Sequence, residues 1–257
     1  MNVIKTLKTP SDLVDAPEDT KVREVLLAFP EARAVFDAWG IDYCCAGDRK
    51  LRAASSEKGM DLSALADWIQ ETIADPRGAD VRDWTEATVT ELTQHIASTH
   101  HVFMKRELPR IENLLEKVLA VHGERHGTTL RELLATYRGF KMEIEGHLIK
   151  EEEILFPTVA AIDAFLRGHA QRPLLLCGSV EEPIRQMELE HHDAGQALAK
   201  MRSTASDYRA PRDVCASFEA LYQALPGMER DLHEHIHLEN NILFPAAVGL
   251  ERQLAGL

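Results

Sequence analysis

The chain lacks the features that membrane-spanning, secreted and nucleic-acid-binding proteins need. No apolar run approaches the about 20 residues of a membrane-spanning helix, and the first ten residues contain no apolar stretch typical of a secretory signal. Basic residues are also few, because 29 Lys and Arg stand against 42 Asp and Glu, for a formal net charge of -13. Nucleic acids and anionic membranes are bound by basic surfaces, so we expect neither as a partner.

Cysteine is scarce as well. Four Cys in 257 residues are too few for a disulfide scaffold, and two of them, Cys44 and Cys45, are adjacent. This usage fits a reducing cytoplasm best. The 45% hydrophobic and 28% charged residues are ordinary for a globular protein of one or two domains.

The periodicity of the apolar residues predicts an all-α protein. No segment alternates as a half-buried β-strand does, and apolar residues recur at helical spacing in four long segments. These segments span residues 85–121, 130–162, 180–201 and 213–247. Short amphipathic segments precede them, and a polar break at residues 75–80 separates the two patterns. We predict a small N-terminal helical domain, residues 1–80, followed by a four-helix bundle, residues 81–257.

An internal repeat lies within the bundle. The eleven residues from His147 to Pro157 match those from His235 to Pro245, and both end in Ile-Leu-Phe-Pro. A His-His pair precedes each block, at residues 100–101 and at residues 191–192. The bundle is therefore predicted to consist of two similar helical hairpins.

Each repeat offers ligands of the kind that bind a metal. Residues four apart lie on one face of a helix, so His147 pairs with Glu151 and His235 pairs with Glu239. Imidazole and carboxylate without thiolate suit non-haem iron better than manganese or structural zinc, and bundle cores are where dinuclear carboxylate sites are built. One more His is expected from the first helix of each hairpin. The spacing leaves open which member of each His-His pair this is.

Two further acids fall one turn before the His of each repeat. Glu143 precedes His147, and Asp231 precedes His235. We expect both carboxylates to face inward and to accept a hydrogen bond from the outer ring nitrogen of a ligand His. The alternative is that they lie at the wet end of the bundle.

A family resemblance follows from these motifs in combination. The run Ile41-Asp42-Tyr43-Cys44-Cys45-Ala46-Gly47, together with the two repeat blocks, resembles the iron–sulfur cluster repair di-iron proteins of the YtfE/ScdA type. The resemblance covers nearly the whole chain and implies a Cys-Cys domain joined to a hemerythrin-like bundle. It implies two iron ions, bridged by oxygen and carboxylate. The implied ligands are His101, His147, Glu151, His191, His235 and Glu239.

The resemblance implies repair of iron–sulfur clusters damaged by nitrosative or oxidative stress, with iron supplied to damaged or apo iron–sulfur proteins. Cys44 and Cys45 are expected to bind iron, to accept a nitrosyl or to cycle as a disulfide. Two alternatives need the same ligands: a sensor or sink for nitric oxide or oxygen, and an oxidoreductase acting on nitric oxide or peroxide. The sequence is also compatible with a homodimer.

Overall fold

The computed structural model describes residues 7–74, 82–174, 178–212 and 214–256. Within these ranges it contains helices and no β-strand, apart from one isolated bridge between Lys21 and Lys50. The predicted all-α class is therefore confirmed. None of the helices in the described part of the chain is long and apolar enough to cross a membrane.

The chain divides into two compact units. One comprises Met1–Ala87 with Asn240–Ile242, and the other comprises Thr88–Glu239 with Leu243–Leu257. The polar break predicted at residues 75–80 lies outside the described residues. The division at residues 1–80 and 81–257 therefore stays a prediction.

The first unit is built from short helices. A 3-10 turn, Pro10–Leu13, is followed by α1 (Val22–Ala28), α2 (Ala32–Trp39), α3 (Leu51–Glu57) and α4 (Leu62–Ala74). The last of these packs against the 3-10 turn and α2. Each helix buries one apolar face, and α2 ends at Gly40, whose φ of 65° is one that glycine adopts without strain.

The loop between α2 and α3 carries the adjacent cysteines. Asn240 and Asn241, which belong to the same unit, donate side-chain hydrogen bonds of 3.0 Å to the carbonyl oxygens of Cys44 and Tyr43. A Cβ at Gly47 would lie 2.8 Å from Asn241 Oδ1 and 2.9 Å from the carbonyl oxygen of Tyr43. This close approach leaves room for glycine alone.

The second unit contains four long helical segments, three of which include a π-helical turn. The first segment runs from α5 (Val89–Ile96) through the π turn Ala97–His101 into α6 (Val102–Lys150). The second leaves α6 through the π turn Glu151–Leu155 into α7 (Phe156–Leu166). The third is α8 (Glu181–Thr204), and the fourth joins α9 (Ala216–Leu238) through the π turn Glu239–Leu243 to α10 (Phe244–Ala255). Both α8 and α9 pack against α6, and α7 packs against α5 and α10.

Helix α6 reverses direction near its middle. A straight helix would separate Glu112 from Lys141 by about 44 Å, yet their charged groups are 2.9 Å apart, and Arg138 also contacts Glu112 at 2.8 Å. The two halves therefore run antiparallel and form the first predicted hairpin. The predicted segments 85–121 and 130–162 leave residues 122–129 outside a helix, which is wrong, because the structure assigns these residues to α6, and neither Gly123 nor Gly127 has a positive φ.

Tyr137 links the two halves of α6, and its removal gives a test of this hairpin. The hydroxyl is buried and donates a 3.0 Å hydrogen bond to the carbonyl oxygen of Leu108. We expect Tyr137→Phe to lower the free energy of unfolding by about 1 kcal/mol, measured by urea denaturation. Tyr222→Phe is the control, because Tyr222 is also buried and its ring packs against Phe218, a contact that the substitution keeps. Equal stability of the two variants would contradict the prediction.

Candidate metal centre

Six buried polar side chains meet inside the second unit, and none is more than 2% exposed. They are the six residues implied as ligands: His101, His147, Glu151, His191, His235 and Glu239. In the His-His pair at residues 100–101, His101 belongs to the cluster. In the pair at residues 191–192, His191 does. Their role as ligands remains a prediction.

The six residues form two groups that share both carboxylates. One group consists of His101, Glu151, His235 and Glu239, and the other of His147, Glu151, His191 and Glu239. Within each group the potential ligand atoms all lie within 4.8 Å of one another. Two cations held in this way would be bridged by Glu151 and Glu239.

The polar atoms at the middle of the cluster have few hydrogen bonds of their own. Each of the four carboxylate oxygens lies 3.1–3.3 Å from the Nε2 of one imidazole. Within the described residues, however, the oxygens of Glu151 and Glu239 and the Nε2 atoms of His101 and His235 lack hydrogen-bond partners. Buried polar groups are rarely left unsatisfied, since this is costly. A cation bound between these atoms would satisfy them, so the donor set fits a metal.

The π-helical turns position the carboxylates. Glu151 and Glu239 each begin a π turn, and His101 ends another. Pro157 and Pro245 follow as second residues of α7 and α10. Proline has no N–H to donate back to the preceding turn, which suits a position where the π turn already interrupts the regular ladder. The shared Ile-Leu-Phe-Pro motif therefore marks the local backbone that the site requires.

The phenylalanine of the same motif fixes an imidazole ring. The ring of Phe156 stacks on His101 with centroids 5.5 Å apart, and the ring of Phe244 stacks on His191 at 5.9 Å. Sequence reasoning missed this role. Its signal was the repeat itself, which places one Phe five residues after each carboxylate.

Two carboxylates orient ligand rings from outside the cluster. Glu152 lies 2.8 Å from His101 Nδ1, and Glu190 lies 2.8 Å from His147 Nδ1. A carboxylate in this position fixes the tautomer, leaves Nε2 available to a metal and makes the imidazole more basic. Both acids are sequence neighbours of the proposed ligands, since Glu152 follows Glu151 and Glu190 precedes His191.

The predicted orienting role of Glu143 and Asp231 is wrong. Glu143 is exposed, and the half-buried Asp231 pairs with Nδ1 of His100 at 3.1 Å. Four helical residues turn through about 400°, so Glu143 is rotated by about 80° around the helix axis from Glu151, which faces the centre. This rotation turns Glu143 toward solvent.

Electrostatics keep the two central carboxylates ionised. Burial would raise the pKa of Glu151 and Glu239, but the neighbouring imidazoles lower both. Burial would likewise lower the pKa of His147, but Glu151 and Glu190 raise it to about 10. The fully buried His235 keeps a lowered pKa, chiefly because of burial. Both central carboxylates are thus negatively charged, and the centre suits cations.

Cys44 and Cys45 lie in the first unit, where they form a separate group with Asp42. The two sulfur atoms are 3.7 Å apart and are not joined in a disulfide. The contact with Cys45, together with burial, raises the pKa of the Cys44 thiol well above its ordinary value. The exposed Cys215 lies 3.2 Å from His122 Nε2, and Cys177 is outside the described residues.

Comparisons with known proteins agree with this geometry. Residues 94–247 match the hemerythrin HHE cation-binding domain, and residues 18–72 match the ScdA_N domain, a domain of unknown function. A Haemophilus influenzae protein named "Probable iron-sulfur cluster repair protein" is 32% identical over 88% of this chain and 95% of its own length. The iron–sulfur cluster repair protein YtfE of Dickeya chrysanthemi is 32% identical over 90% of this chain and 97% of its own.

A further YtfE, from Yersinia pseudotuberculosis, is 33% identical over 86% of this chain and 93% of its own length. The resemblance inferred from the Cys-Cys run and the two repeat blocks is confirmed. The chain belongs to the family of iron–sulfur cluster repair proteins, in which an ScdA_N domain is joined to a hemerythrin HHE domain.

Proposed function

We propose that this protein repairs iron–sulfur clusters damaged by nitrosative or oxidative stress, and that it does so in the cytoplasm by delivering iron from a non-haem di-iron centre. The observation that carries the proposal is the pair of buried four-residue groups that share Glu151 and Glu239. Two shared carboxylates favour two metal ions over one. The relatives named for iron–sulfur cluster repair favour this function over gas sensing or oxidoreduction.

The donor set favours iron over structural zinc. The centre offers four imidazoles and two carboxylates, whereas structural zinc sites more often use thiolates. If each iron took about six ligands, two irons would need about twelve. The four imidazoles, the carboxylates of Glu151 and Glu239 and one oxygen ligand shared by both irons would supply about ten of these. About one position per iron would then be left for nitric oxide, oxygen or water.

The protein's own residues hold the iron and keep the rings oriented. His101, His147, His191 and His235 would provide nitrogen donors, while Glu152 and Glu190 hold two of those rings through Nδ1. The bound iron would supply the metal that a damaged cluster has lost. Burial of all six donors excludes bulk water from the centre.

The clients are damaged or apo iron–sulfur proteins, whose clusters are held by cysteine thiolates. Cys44 and Cys45 offer the same kind of soft ligand, so iron can pass between like ligands at the handover. This role for the two thiols is part of the proposal. A homodimer stays a prediction.

The first test is iron content. Purified under iron-replete conditions, the full-length protein should contain about two irons per chain, measured by metal analysis. Glu151→Ala removes a bridging donor and should lower the iron content strongly. Glu153→Ala is the matched control, because Glu153 is exposed in the same π turn. One zinc per chain and no iron in the wild type would overturn the assignment.

The second test concerns the acid that orients His147. Glu190→Gln keeps the size of the side chain and removes the charge that holds Nδ1, so iron affinity should fall about 10- to 100-fold. Competition with a chelator measures this change. Glu188→Gln, at an exposed position on the same helix, should leave the affinity unchanged. Equal affinities in the two variants would remove Glu190 from the site.

The third test follows the iron itself. Full-length protein loaded with isotopically labelled iron should reactivate a nitric-oxide-damaged iron–sulfur enzyme without added iron, and the label should appear in that enzyme. Cys44→Ser/Cys45→Ser should keep the iron of the six-residue centre and lose most of this transfer. Reactivation without label in the client would contradict delivery, and full transfer by the variant would exclude the thiols from the handover.

A further inference from the structure

A third cluster of donor atoms has no place in the six-residue centre. Asp42, Cys44 and Cys45 lie in the loop after α2, with their potential ligand atoms within 4.8 Å of one another. All three belong to the first unit, whereas the six buried ligands belong to the second. The resemblance assigned a role to the two thiols but none to Asp42.

The spacing of the three donors matches two edges of a coordination tetrahedron. Cys44 Sγ lies 3.7 Å from Cys45 Sγ and 3.6 Å from Asp42 Oδ1. A tetrahedral metal bound at about 2.3 Å to sulfur and about 2.1 Å to oxygen spaces two sulfurs by about 3.8 Å, and sulfur from oxygen by about 3.6 Å. At these distances the Cys44 thiol donates hydrogen bonds to Asp42 Oδ1 and to Cys45 Sγ, and a metal could take the place of that proton without moving the donors.

The backbone of the loop maintains this arrangement. Asp42 Oδ1 accepts hydrogen bonds from the backbone N–H groups of Cys45 at 2.9 Å and Ala46 at 3.2 Å. The carbonyl oxygen of Cys44 accepts the Asn240 side chain. Cys44 is buried, Cys45 is half-buried and Asp42 is exposed. The cluster is thus held from the inside and can be reached from solvent.

The local charges suit a cation. A divalent cation would displace the thiol protons and offset the carboxylate and the two thiolates together. Lys21, which directly precedes α1, and Arg23, within α1, pair with Asp48.

We propose that Asp42, Cys44 and Cys45 form a three-ligand site for one thiophilic divalent cation, with a fourth position open to a thiolate from another protein. The donor chemistry accepts ferrous iron or zinc. We assign ferrous iron, and this choice rests on the proposed delivery of iron. The site would then hold iron during its exchange onto the cysteines of a client, so that free iron is not released.

Cobalt(II) is the probe, because thiolate ligands give it a charge-transfer band in the near ultraviolet that imidazole and carboxylate ligands do not. Metal-free, reduced, full-length protein titrated with Co²⁺ should develop this band at one equivalent above any cobalt bound by the six-residue centre. Cys44→Ser/Cys45→Ser should abolish the band, and each single variant should roughly halve it. Cys215→Ser, at an exposed cysteine outside the cluster, is the matched control and should keep it.

Asp42→Asn tests the third ligand. An Asn side chain still accepts the two backbone hydrogen bonds, so the loop keeps its shape, but its neutral amide is a weaker ligand. Affinity for the thiolate-bound cobalt should fall at least about tenfold. Asp67→Asn removes an exposed charge from α4 of the same unit and should leave the affinity unchanged. Equal affinity in the Asp42 variant and the wild type would overturn the three-ligand site.

Competition between metal ions then tests the assignment to iron. Excess ferrous iron should remove the cobalt band, and zinc should remove it at lower concentration, in line with their usual order of affinity. Displacement by zinc alone would overturn the assignment to iron. If the protein binds two irons in the bundle but shows no thiolate band, this site fails and the di-iron proposal stands. If the thiolate band forms in protein whose bundle binds no iron, the di-iron proposal fails and this site stands.

Discussion

Glu151 and Glu239 are fully buried side by side, and both carboxylates are held in the ionised form. Removing one such ion from water costs several kcal/mol, and two like charges at close range add to that cost. Groups that stabilise the two negative charges must therefore surround them. The four imidazoles do so, each with Nε2 directed at a carboxylate oxygen. The rest of the bundle holds these rings and carboxylates in their relative positions.

The π-helical turns of the backbone help to hold the carboxylates and rings in these positions. A regular helix places a His and a Glu four residues apart on one face. The π turn that begins at each Glu lets the helix continue beyond the buried carboxylate. The Pro that follows suits this turn, and the Phe that follows stacks on one imidazole ring. A four-residue motif thus specifies local backbone and ring orientation together.

Much of this was predictable from the sequence, for reasons of periodicity. The helical class, the hairpin repeat and the pairs His147–Glu151 and His235–Glu239 all follow from spacing along one helix. The outer carboxylates do not, because Glu152 and Glu190 reach rings on neighbouring segments, 51 and 43 residues away in sequence. The continuous helical bonding through the reversal in α6 was also missed, since Gly123 signals a break without specifying its geometry. The donor set of the Cys-Cys loop gained Asp42 only from atomic distances.

The chain also offers donors of contrasting chemistry in its two units. The second unit has buried imidazoles and carboxylates, whereas the first has the two thiols of Cys44 and Cys45. In the proposed delivery, the buried set would hold iron and the thiols would pass it to the cysteines of another protein.

The repeat within the bundle carries one position with two different structural tasks. Glu152 and Asn240 occupy equivalent positions in the two copies, each directly after the buried carboxylate. In one copy the residue orients His101, and in the other it anchors the carbonyl oxygen of Cys44. The pseudo-symmetry of the six central residues therefore does not extend to their immediate sequence neighbours, and exchanging Glu152 with Asn240 would remove both contacts at once.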